Sequence, residues 1–209
     1  MDLPLLLAAT LGAYLAGSIP FGLLVARLTG GPDPRSIGSG RTGGTNALRA
    51  LGRRRAAVVA MGDILKGTLP VLAVRALGAG DASEVTAALF AVLGATRSVW
   101  VGFKGGRGIA TGFGTALAIA PVALAAAAPI FIIIIWRTRL VSLGSLAAVA
   151  AFAPIAIILR MQTADGISIW MLAYSIVGPS LVWLAHADNI ARLRAGTERT
   201  FDAGALTRD

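Results

Sequence analysis

The sequence predicts an all-α membrane protein with about seven transmembrane helices. Of its 209 residues, 56% are hydrophobic and only 14% are charged, whereas a soluble domain carries about 25% charged residues. No segment shows the alternation of a membrane β-strand. Most hydrophobic stretches are long enough for one spanning helix of about 20 residues, and they lie at 4–26, 56–77, 84–100, 110–136, 140–160 and 167–185.

The number of spans depends on the stretch 110–136. It counts as one span, or as two short helices if it breaks near Pro121. With seven spans, most of the 19 Lys and Arg residues lie on one side of the membrane, and the other side has only Arg75 and Arg160. Because cytoplasmic loops carry the excess of basic residues, we expect seven spans, two of them short, with the N-terminus outside and the C-terminus in the cytoplasm.

Composition also limits the class of partner. The net charge is +9, but the basic residues lie between apolar spans, which favours anionic lipid headgroups or an anionic substrate over nucleic acid. The chain contains no cysteine, so disulfides and thiolate catalysis are excluded. Residues 3–28 are too long for a cleavable signal and have no basic segment before them. We expect a single integral membrane domain, 1–209.

Three loops rich in glycine and basic residues interrupt the hydrophobic sequence. They read GSGRTGGTNALR at 38–49, FKGGRGIAT at 103–111 and HADNIARLRAGTE at 186–198. Loops of this composition bind phosphate through backbone N–H groups and fixed positive charge. Seven spans place all three loops in the cytoplasm, where together they predict a site for anionic substrates at the membrane surface.

The first two loops supply most of the candidate site residues. Glycines in the first loop permit close approach of the backbone to a ligand, and Arg49 offers a bidentate fork for phosphate. The second loop leads into an apolar helix expected to start near Ile109, where glycines and positive charge favour an anion. The alternative for both is a basic loop that only faces lipid headgroups. The candidates are Gly38, Ser39, Gly40, Thr45, Asn46, Arg49, Lys104, Gly105, Gly106, Arg107 and Thr111.

Two further pairs of polar residues lie near the same side. His186 is the only histidine, and Asn189 follows it on the same helical face. Ser142 and Ser145 are also about one helical turn apart, although hydroxyls in membrane helices usually bond their own backbone. A histidine at the membrane boundary beside phosphate-binding loops favours a functional role.

Acidic residues are too scattered to predict a metal site. The expected cytoplasmic side has no D-x-D grouping, so neither a metal nor a cofactor is predicted. Within the second span, Asp63 and Lys66 lie on one helical face. We interpret them as a structural ion pair, with a direct substrate role as the alternative.

Taken in order, these motifs resemble the bacterial acyl-phosphate:glycerol-3-phosphate acyltransferase family of integral membrane enzymes. The resemblance implies a seven-span fold in the cell inner membrane, with the active site on the cytoplasmic face. It covers nearly the whole chain. The matching segments are GSIPFG at 17–22, GSGRTGGTN at 38–46, D-x-x-K-G at 63–67, FKGGRGIAT at 103–111, SLGS at 142–145 and H-x-x-N-I-x-R-L-x-x-G-T-E at 186–198.

Two positions depart from the family pattern. Arg41 stands where the family usually has Asn, and Ala95 stands where it usually has His. If that histidine performs chemistry or anchors the second loop, activity is lowered in this chain. Alternatively, Arg41 and Arg97 add charge toward the substrate or compensate locally.

The resemblance implies transfer of a fatty acyl group from acyl phosphate to the 1-hydroxyl of glycerol 3-phosphate. The products are lysophosphatidic acid and inorganic phosphate, in the first acylation step of phospholipid synthesis. Acyl phosphate is already activated, so the protein mainly needs positioning, anion binding and removal of a hydroxyl proton. The acyl chain would lie between spans and enter from the lipid. A monomer is the working hypothesis.

The same resemblance suggests roles for the candidates. The proton acceptor is either His186 or a phosphate oxygen of the substrate, and the expected catalytic residues are Ser39, Lys104, His186 and Asn189. The acyl-phosphate headgroup would be bound by Ser39, Lys104 and the Gly105–Gly106 backbone. Glycerol 3-phosphate would be held by Thr45, Asn46, Arg49, Arg107, His186 and Asn189, in a site lined by Ser142 and Ser145.

A transporter or flippase for a phosphorylated solute is the rival function. It shares the need for basic loops and for half-helices near the midplane of the bilayer. The polar motifs lie at one surface, however, and the sequence shows no repeat. A purely structural membrane subunit is the third interpretation, and it leaves the glycine and basic spacing unexplained.

Overall fold

The computed structural model describes residues 3–162, 166 and 168–201, and every regular element among them is a helix. The all-α prediction is therefore confirmed for these residues. Two short 3₁₀ turns, Pro34–Ser36 and Val99–Val101, lie in the loops. The α-helices are α1 (Leu3–Ser18), α2 (Phe21–Leu28), α3 (Gly44–Leu51), α4 (Arg53–Ala76), α5 (Gly80–Thr96), α6 (Ile109–Ile119), α7 (Pro121–Thr138), α8 (Val141–Met161), α9 (Ile169–Ala185) and α10 (Ala187–Arg194).

Several of these helices have the length and composition of membrane spans. Within the described residues, α4, α5 with the turn after it, α7 and α8 each suffice to cross a bilayer. Two bent pairs, α1 with α2 and α9 with α10, raise the number to six if each pair forms one span. With 11 residues, α6 extends about 16 Å, which is too short for a hydrocarbon core of about 30 Å. The count of seven and the sidedness stay predictions.

Two prolines mark helix breaks, and only one of these breaks was expected. The predicted break near Pro121 is confirmed, since α6 ends at Ile119 and Pro121 occupies the first position of α7, where proline is tolerated. The predicted span 4–26 is not one helix: α1 and α2 meet at 49°. Pro20 causes this bend because it has no N–H and its ring clashes with the carbonyl one turn earlier.

The bend between α1 and α2 is fixed to α4 by a buried lysine. The Nζ of Lys66 donates to the carbonyl of Ile19 at 2.8 Å and lies 2.6 Å from the Asp63 carboxylate. Both charged side chains are buried. The expected ion pair between Asp63 and Lys66 is confirmed, and the broken end of α1 supplies Lys66 with a further acceptor.

Close packing of α4 against α6 places the start of α6 beside this lysine. A Cβ at Gly67 of α4 would collide with the carbonyl of Thr111, and one at Gly114 of α6 would collide with the carbonyl of Ile64. Small residues let membrane helices approach in this way. The Thr68 hydroxyl also donates to the Gly114 carbonyl at 2.9 Å. These contacts set the position of the second motif loop relative to α4.

Candidate active site

A polar cavity of about 330 Å³ lies where the three motif loops converge. Residues of α4 and α8 complete its wall. The structure thus brings most of the predicted site residues together. Those that line the cavity are Ser39, Thr45, Asn46, Arg49, Gly106, Arg107, Thr111, Ser142, Ser145, His186 and Asn189.

Four predicted site residues do not line the cavity. Gly38 and Gly40 have φ values of 59° and 68°, a conformation that favours glycine, so they shape the first loop. The side chain of Lys104 is exposed. Gly105 is buried against α5. A direct role for these residues in binding stays a prediction.

Asn46 organises the first loop from inside α3. Its Nδ2 donates to the carbonyls of Ile37 and Arg41 and to the Ser39 hydroxyl, at 3.2, 2.9 and 3.1 Å. Its Oδ1 accepts from the Ser39 amide and from Arg49, both at 3.3 Å. With its side chain 2% exposed and these bonds made, Asn46 holds Ser39 and Arg49 at the cavity.

The second loop is anchored to the end of α5 through its backbone. The Gly105 amide donates to the Thr96 carbonyl at 3.2 Å, and the Gly106 amide donates to the Ala95 carbonyl at 2.9 Å. These two amides were expected to face a phosphate, and the structure uses them for anchoring instead. Because the acceptors are backbone carbonyls, these two hydrogen bonds do not depend on the side chain at position 95, where the family usually has His.

Backbone donors reach the cavity from helix starts rather than from that loop. The first residues of α3, α6 and α8 line the cavity, and no side chain caps any of these three N-termini. The first N–H groups of a helix have no partner within the helix, and the helix dipole adds positive potential there. Three helix N-termini therefore favour an anion in this cavity.

Cationic side chains outnumber carboxylates in the cavity wall. The carboxylates there are Asp63, which pairs with Lys66, and Glu198, which pairs with Arg192 at 2.9 Å. Among the described residues, the other cations lack a carboxylate within 4.0 Å, except Arg107, which pairs with Asp188 outside the wall. The six cations are Arg41, Arg49, Lys66, Arg107, Arg192 and Arg199.

Arg107 joins the three loops to one another. Its Nη1 donates to the Ser39 hydroxyl at 3.2 Å, and its Nη2 donates to Asp188 at 2.8 Å. Asp188 also accepts from Arg192 at 3.2 Å. Burial alone would raise the pKa of Asp188, but the two arginines outweigh it and hold this pKa below its usual value. Asp188 is therefore a fixed anion that orients both guanidinium groups.

His186 lies directly after α9 and is 2% exposed. Its Nδ1 is 2.8 Å from the Val182 carbonyl; a carbonyl only accepts, so Nδ1 carries the proton and Nε2 of the neutral ring is an acceptor. Burial lowers the pKa of His186, and the nearby Arg107 and Arg41 lower it further. The imidazole is thus kept neutral at pH 7 beside positive charge.

Three buried polar atoms of cavity-lining residues lack a hydrogen-bond partner among the described residues. They are Arg107 Nε, Ser142 Oγ and Asn189 Oδ1. Ser145 differs from Ser142, because its hydroxyl donates to the Val141 carbonyl at 2.8 Å. Buried polar groups are normally paired, so these three residues of the cavity wall each retain an unused donor or acceptor.

Sequence reasoning missed several residues of the cavity wall. Arg192 and Glu198 are part of the third motif but were assigned no role, and Arg199 follows them directly. Arg41 was noted as a departure from the family, with added charge toward the substrate as one of two alternatives. Lys66 was interpreted as a structural partner, yet with Asp63 it also lines the cavity. A sequence signal was available for most of these residues. Arg41, Arg192 and Glu198 lie within the motifs, and Lys66 shares a helical face with Asp63.

A second cavity, of about 360 Å³, lies beside the first, among α6, α7, α8 and α9. Ile109, Phe131 and Ser145 line both cavities, and we call this shared boundary the mouth. Beyond the mouth the wall is almost entirely apolar. We call this second cavity the apolar arm. The combined shape suits a ligand with an anionic head and a hydrocarbon chain.

The comparison with known proteins agrees with this shape. A family model described as glycerol-3-phosphate acyltransferase matches residues 7–196. The chain belongs to the glycerol-3-phosphate acyltransferase family. The resemblance drawn from the motifs is therefore confirmed, and with it the expectation of a membrane acyltransferase of lipid biosynthesis.

Similar proteins of this family cover the chain almost completely. The glycerol-3-phosphate acyltransferase of Thermus thermophilus is 46% identical over 188 residues, which is 90% of each chain. That of Methylorubrum extorquens is 43% identical over 201 residues, or 93% of this chain and 92% of the relative.

Solved structures of the family share the fold. The crystal structure of PlsY (YgiH), an integral membrane glycerol 3-phosphate acyltransferase, in its glycerol 3-phosphate form has a TM-score of 0.86 and 34% identity. It covers 98% of this chain and 99% of that one. The lysophosphatidic acid form has a TM-score of 0.84 and 33% identity, covering 97% and 98%.

Proposed function

We propose that this protein transfers a fatty acyl group from acyl phosphate to the 1-hydroxyl of glycerol 3-phosphate, at the cytoplasmic face of the bacterial inner membrane. The products are lysophosphatidic acid and inorganic phosphate. The observation that carries the proposal is a cationic cavity directly beside an apolar arm, with three lining residues in common. Membership of the family supports the acceptor, and the motif side of the membrane follows from the excess of basic residues there.

The acyl phosphate would bind across the mouth between the cavities. Its chain would occupy the apolar arm, which places the carbonyl near Ser145 and the phosphate near the start of α6. On that side, Arg107 Nη1 lies 3.2 Å from the Ser39 hydroxyl oxygen, and both side chains would bind the phosphate oxygens. The N-terminus of α6 would add backbone N–H donors. Lys104 would join them only if its exposed side chain turns inward.

Glycerol 3-phosphate would bind on the opposite side of the polar cavity. Burial lowers the pKa of Arg49, and the adjacent Arg199 lowers it further, an effect that Glu198 only partly offsets, so two positive charges meet there. A phosphate dianion would relieve their repulsion. Thr45 and the unpartnered Asn189 Oδ1 would bind the glycerol hydroxyls. Arg41 would add charge between the two phosphates.

The reaction would be a direct acyl transfer. The oxygen of the 1-hydroxyl attacks the acyl carbonyl carbon, the bond from that carbon to the phosphate oxygen breaks, and the hydroxyl proton passes to the departing phosphate. His186 is a poor proton acceptor because burial and the neighbouring arginines disfavour its charged form. Its Nε2 would instead accept a hydrogen bond from glycerol 3-phosphate and orient the hydroxyl.

Purified protein in detergent tests this proposal directly. It would be given palmitoyl phosphate with and without glycerol 3-phosphate, and palmitoyl-CoA as a comparison donor. We expect lysophosphatidic acid and phosphate in equal amounts, only when acyl phosphate and acceptor are both present. Turnover with palmitoyl-CoA but not with palmitoyl phosphate, each given together with glycerol 3-phosphate, would refute acyl phosphate as the donor. Counterflow of glycerol 3-phosphate in liposomes without acylation would refute the enzyme and favour a transporter.

A further inference from the structure

The apolar arm ends at Phe152 and Tyr174, which we call the end wall. Helices α8 and α9 set its distance from the reacting groups. Along α8, lining residues run from Ser142 in the polar cavity to Phe152 at the far end of the arm. From the end of α9 they run from His186, directly after the helix, back to Tyr174 within it. At 1.5 Å per residue, Ser145 at the mouth and Phe152 are about 10 Å apart along α8. Half of a hydrocarbon core, the space that one membrane acyl chain occupies, is about 15 Å, so a long acyl chain would reach the end of the arm.

The end wall is formed by Phe152 and Tyr174, whose rings meet edge to face with centroids 6.2 Å apart and whose side chains are 7% and 4% exposed. The hydroxyls of Tyr174 and Thr115 are hydrogen bonded at 3.0 Å. Both rings belong to a buried cluster that also contains Val71 of α4 and Val85 of α5. These contacts hold the two rings at the end of the arm.

We propose that Phe152 and Tyr174 set the longest acyl chain that this protein accepts, an inference that rests on the proposed function. Up to the wall, added methylenes change affinity little, because the lipid or detergent that they leave is as apolar as the arm. Once the terminal methyl meets the two rings, a longer chain must bend or displace packed side chains, and such overpacking is unfavourable. The chain-length profile should therefore have a sharp upper limit.

Two glycines allow the arm to be narrowed at different depths. A Cβ at Gly178 would lie 3.7 Å from the Tyr174 ring and 3.8 Å from Leu89, and a Cβ at Gly112 would lie 3.8 Å from Val182. Both are ordinary contact distances, so an added methyl fits each position. Gly178 lies beside the end wall, whereas Gly112 lies within one turn of Ile109 at the mouth.

The test compares kcat/KM for octanoyl, dodecanoyl, palmitoyl, stearoyl and arachidoyl phosphates. In Gly178→Ala we expect the ratio of palmitoyl to octanoyl phosphate to fall at least fivefold. In the matched variant Gly112→Ala the same ratio should stay within twofold of wild type. The added methyl lies near the mouth, so short and long acyl chains both contact it. Gly12→Ala, at a position with no atom within 4 Å of the new methyl, controls for the substitution itself.

Enlarging the arm provides the opposite change. Phe152→Leu should raise the ratio of arachidoyl to palmitoyl phosphate at least threefold, while a variant that is merely destabilised would lose activity with all donors together. Unchanged chain-length profiles in both Gly178→Ala and Phe152→Leu would show that Phe152 and Tyr174 do not limit chain length. The proposed reaction would not be affected by that result. Absence of turnover by the wild-type protein with every acyl phosphate would instead refute the proposed reaction, and this inference with it.

Discussion

Arg107, Ser142 and Asn189 line the polar cavity, and each has one buried polar atom that is unpaired within the described part of the chain. Leaving such an atom unpaired costs about 1–3 kcal/mol, so the folded protein is less stable than it would be with these atoms bonded. A ligand that reaches and pairs them would recover this free energy on binding. We expect these atoms to favour a molecule with both phosphate and hydroxyl oxygens.

Arg49 and Arg107 should each be needed for efficient turnover. We expect Arg49→Ala and Arg107→Ala to lower kcat/KM at least tenfold, since a hydrogen bond to a charged group contributes about 1.5–3 kcal/mol. Arg49→Ala should act on the KM for glycerol 3-phosphate, and Arg107→Ala on the KM for acyl phosphate. Arg27→Ala is the matched control, because Arg27 is exposed and lies outside the cavity. Wild-type kinetics in both site variants would show that the cavity is not the active site.

His186→Gln separates orientation from proton transfer. Glutamine retains hydrogen-bonding capacity but cannot act as a base at neutral pH. If His186 only orients glycerol 3-phosphate, this variant should have a KM for that substrate about tenfold higher and a kcat within about threefold of wild type. A loss of 10²-fold or more in kcat at saturating substrate would instead identify His186 as the base.

Within the second motif, the two adjacent glycines have different structural tasks. Gly105 passes so close to the Ala95 carbonyl that a Cβ there would collide with it, whereas a Cβ at Gly106 would lie 3.7 Å from Gly43. This close approach is invisible in the sequence, which reads KGGR with no distinction between the glycines. The loop was correctly predicted to lead into a helix at Ile109, but the use of its amides depends on where the end of α5 lies.

Alanine substitutions in this motif should therefore be unequal. Gly105→Ala should destabilise the protein by about 2 kcal/mol, because overpacking against a backbone carbonyl displaces the loop. Gly106→Ala should leave the midpoint of thermal unfolding in detergent within error. Thermal unfolding of the two variants side by side measures this difference. Equal unfolding midpoints would show that the loop is not anchored to α5 as described.

The pair of Asp63 and Lys66 connects α4 to the bend after α1. Removing one member leaves the other buried and unpaired, so Asp63→Asn and Lys66→Met should each cost about 3 kcal/mol in unfolding free energy. The double variant Asp63→Asn/Lys66→Met should recover part of this loss. A double-mutant cycle measures the coupling. Additive losses would mean that the two side chains do not interact, and a raised KM for either substrate in a stable double variant would indicate a direct substrate role.

At the scale of the whole molecule, hydrophobicity and charge in the sequence indicated a helical membrane protein with its three motifs together. They could not indicate the bend at Pro20, because a proline within a long apolar stretch either kinks or ends a helix depending on its neighbours. They also could not locate the apolar arm. Its wall consists of residues such as Ala127 and Phe152, which look like any other residues of a membrane helix until four helices are packed together.

The expected orientation can be tested because the chain contains no cysteine. Single cysteines would be placed at Arg27, on the motif side, and at Leu77, in the exposed turn after α4. Because α4 is long enough to cross the bilayer, we expect these positions on opposite faces. In intact cells, a membrane-impermeant maleimide should label Leu77→Cys and not Arg27→Cys. The reverse pattern would place the motifs outside the cell and contradict the positive-inside argument.

The central claim is that the two joined cavities form one active site. A crystal structure of this protein with lysophosphatidic acid bound would test it most directly. We predict the glyceryl phosphate against Arg49 and the alkyl chain in the apolar arm, with its end toward Phe152. A lysophosphatidic acid molecule bound only on the outer, lipid-facing surface of the helices, with both cavities free of it at saturation, would contradict the account.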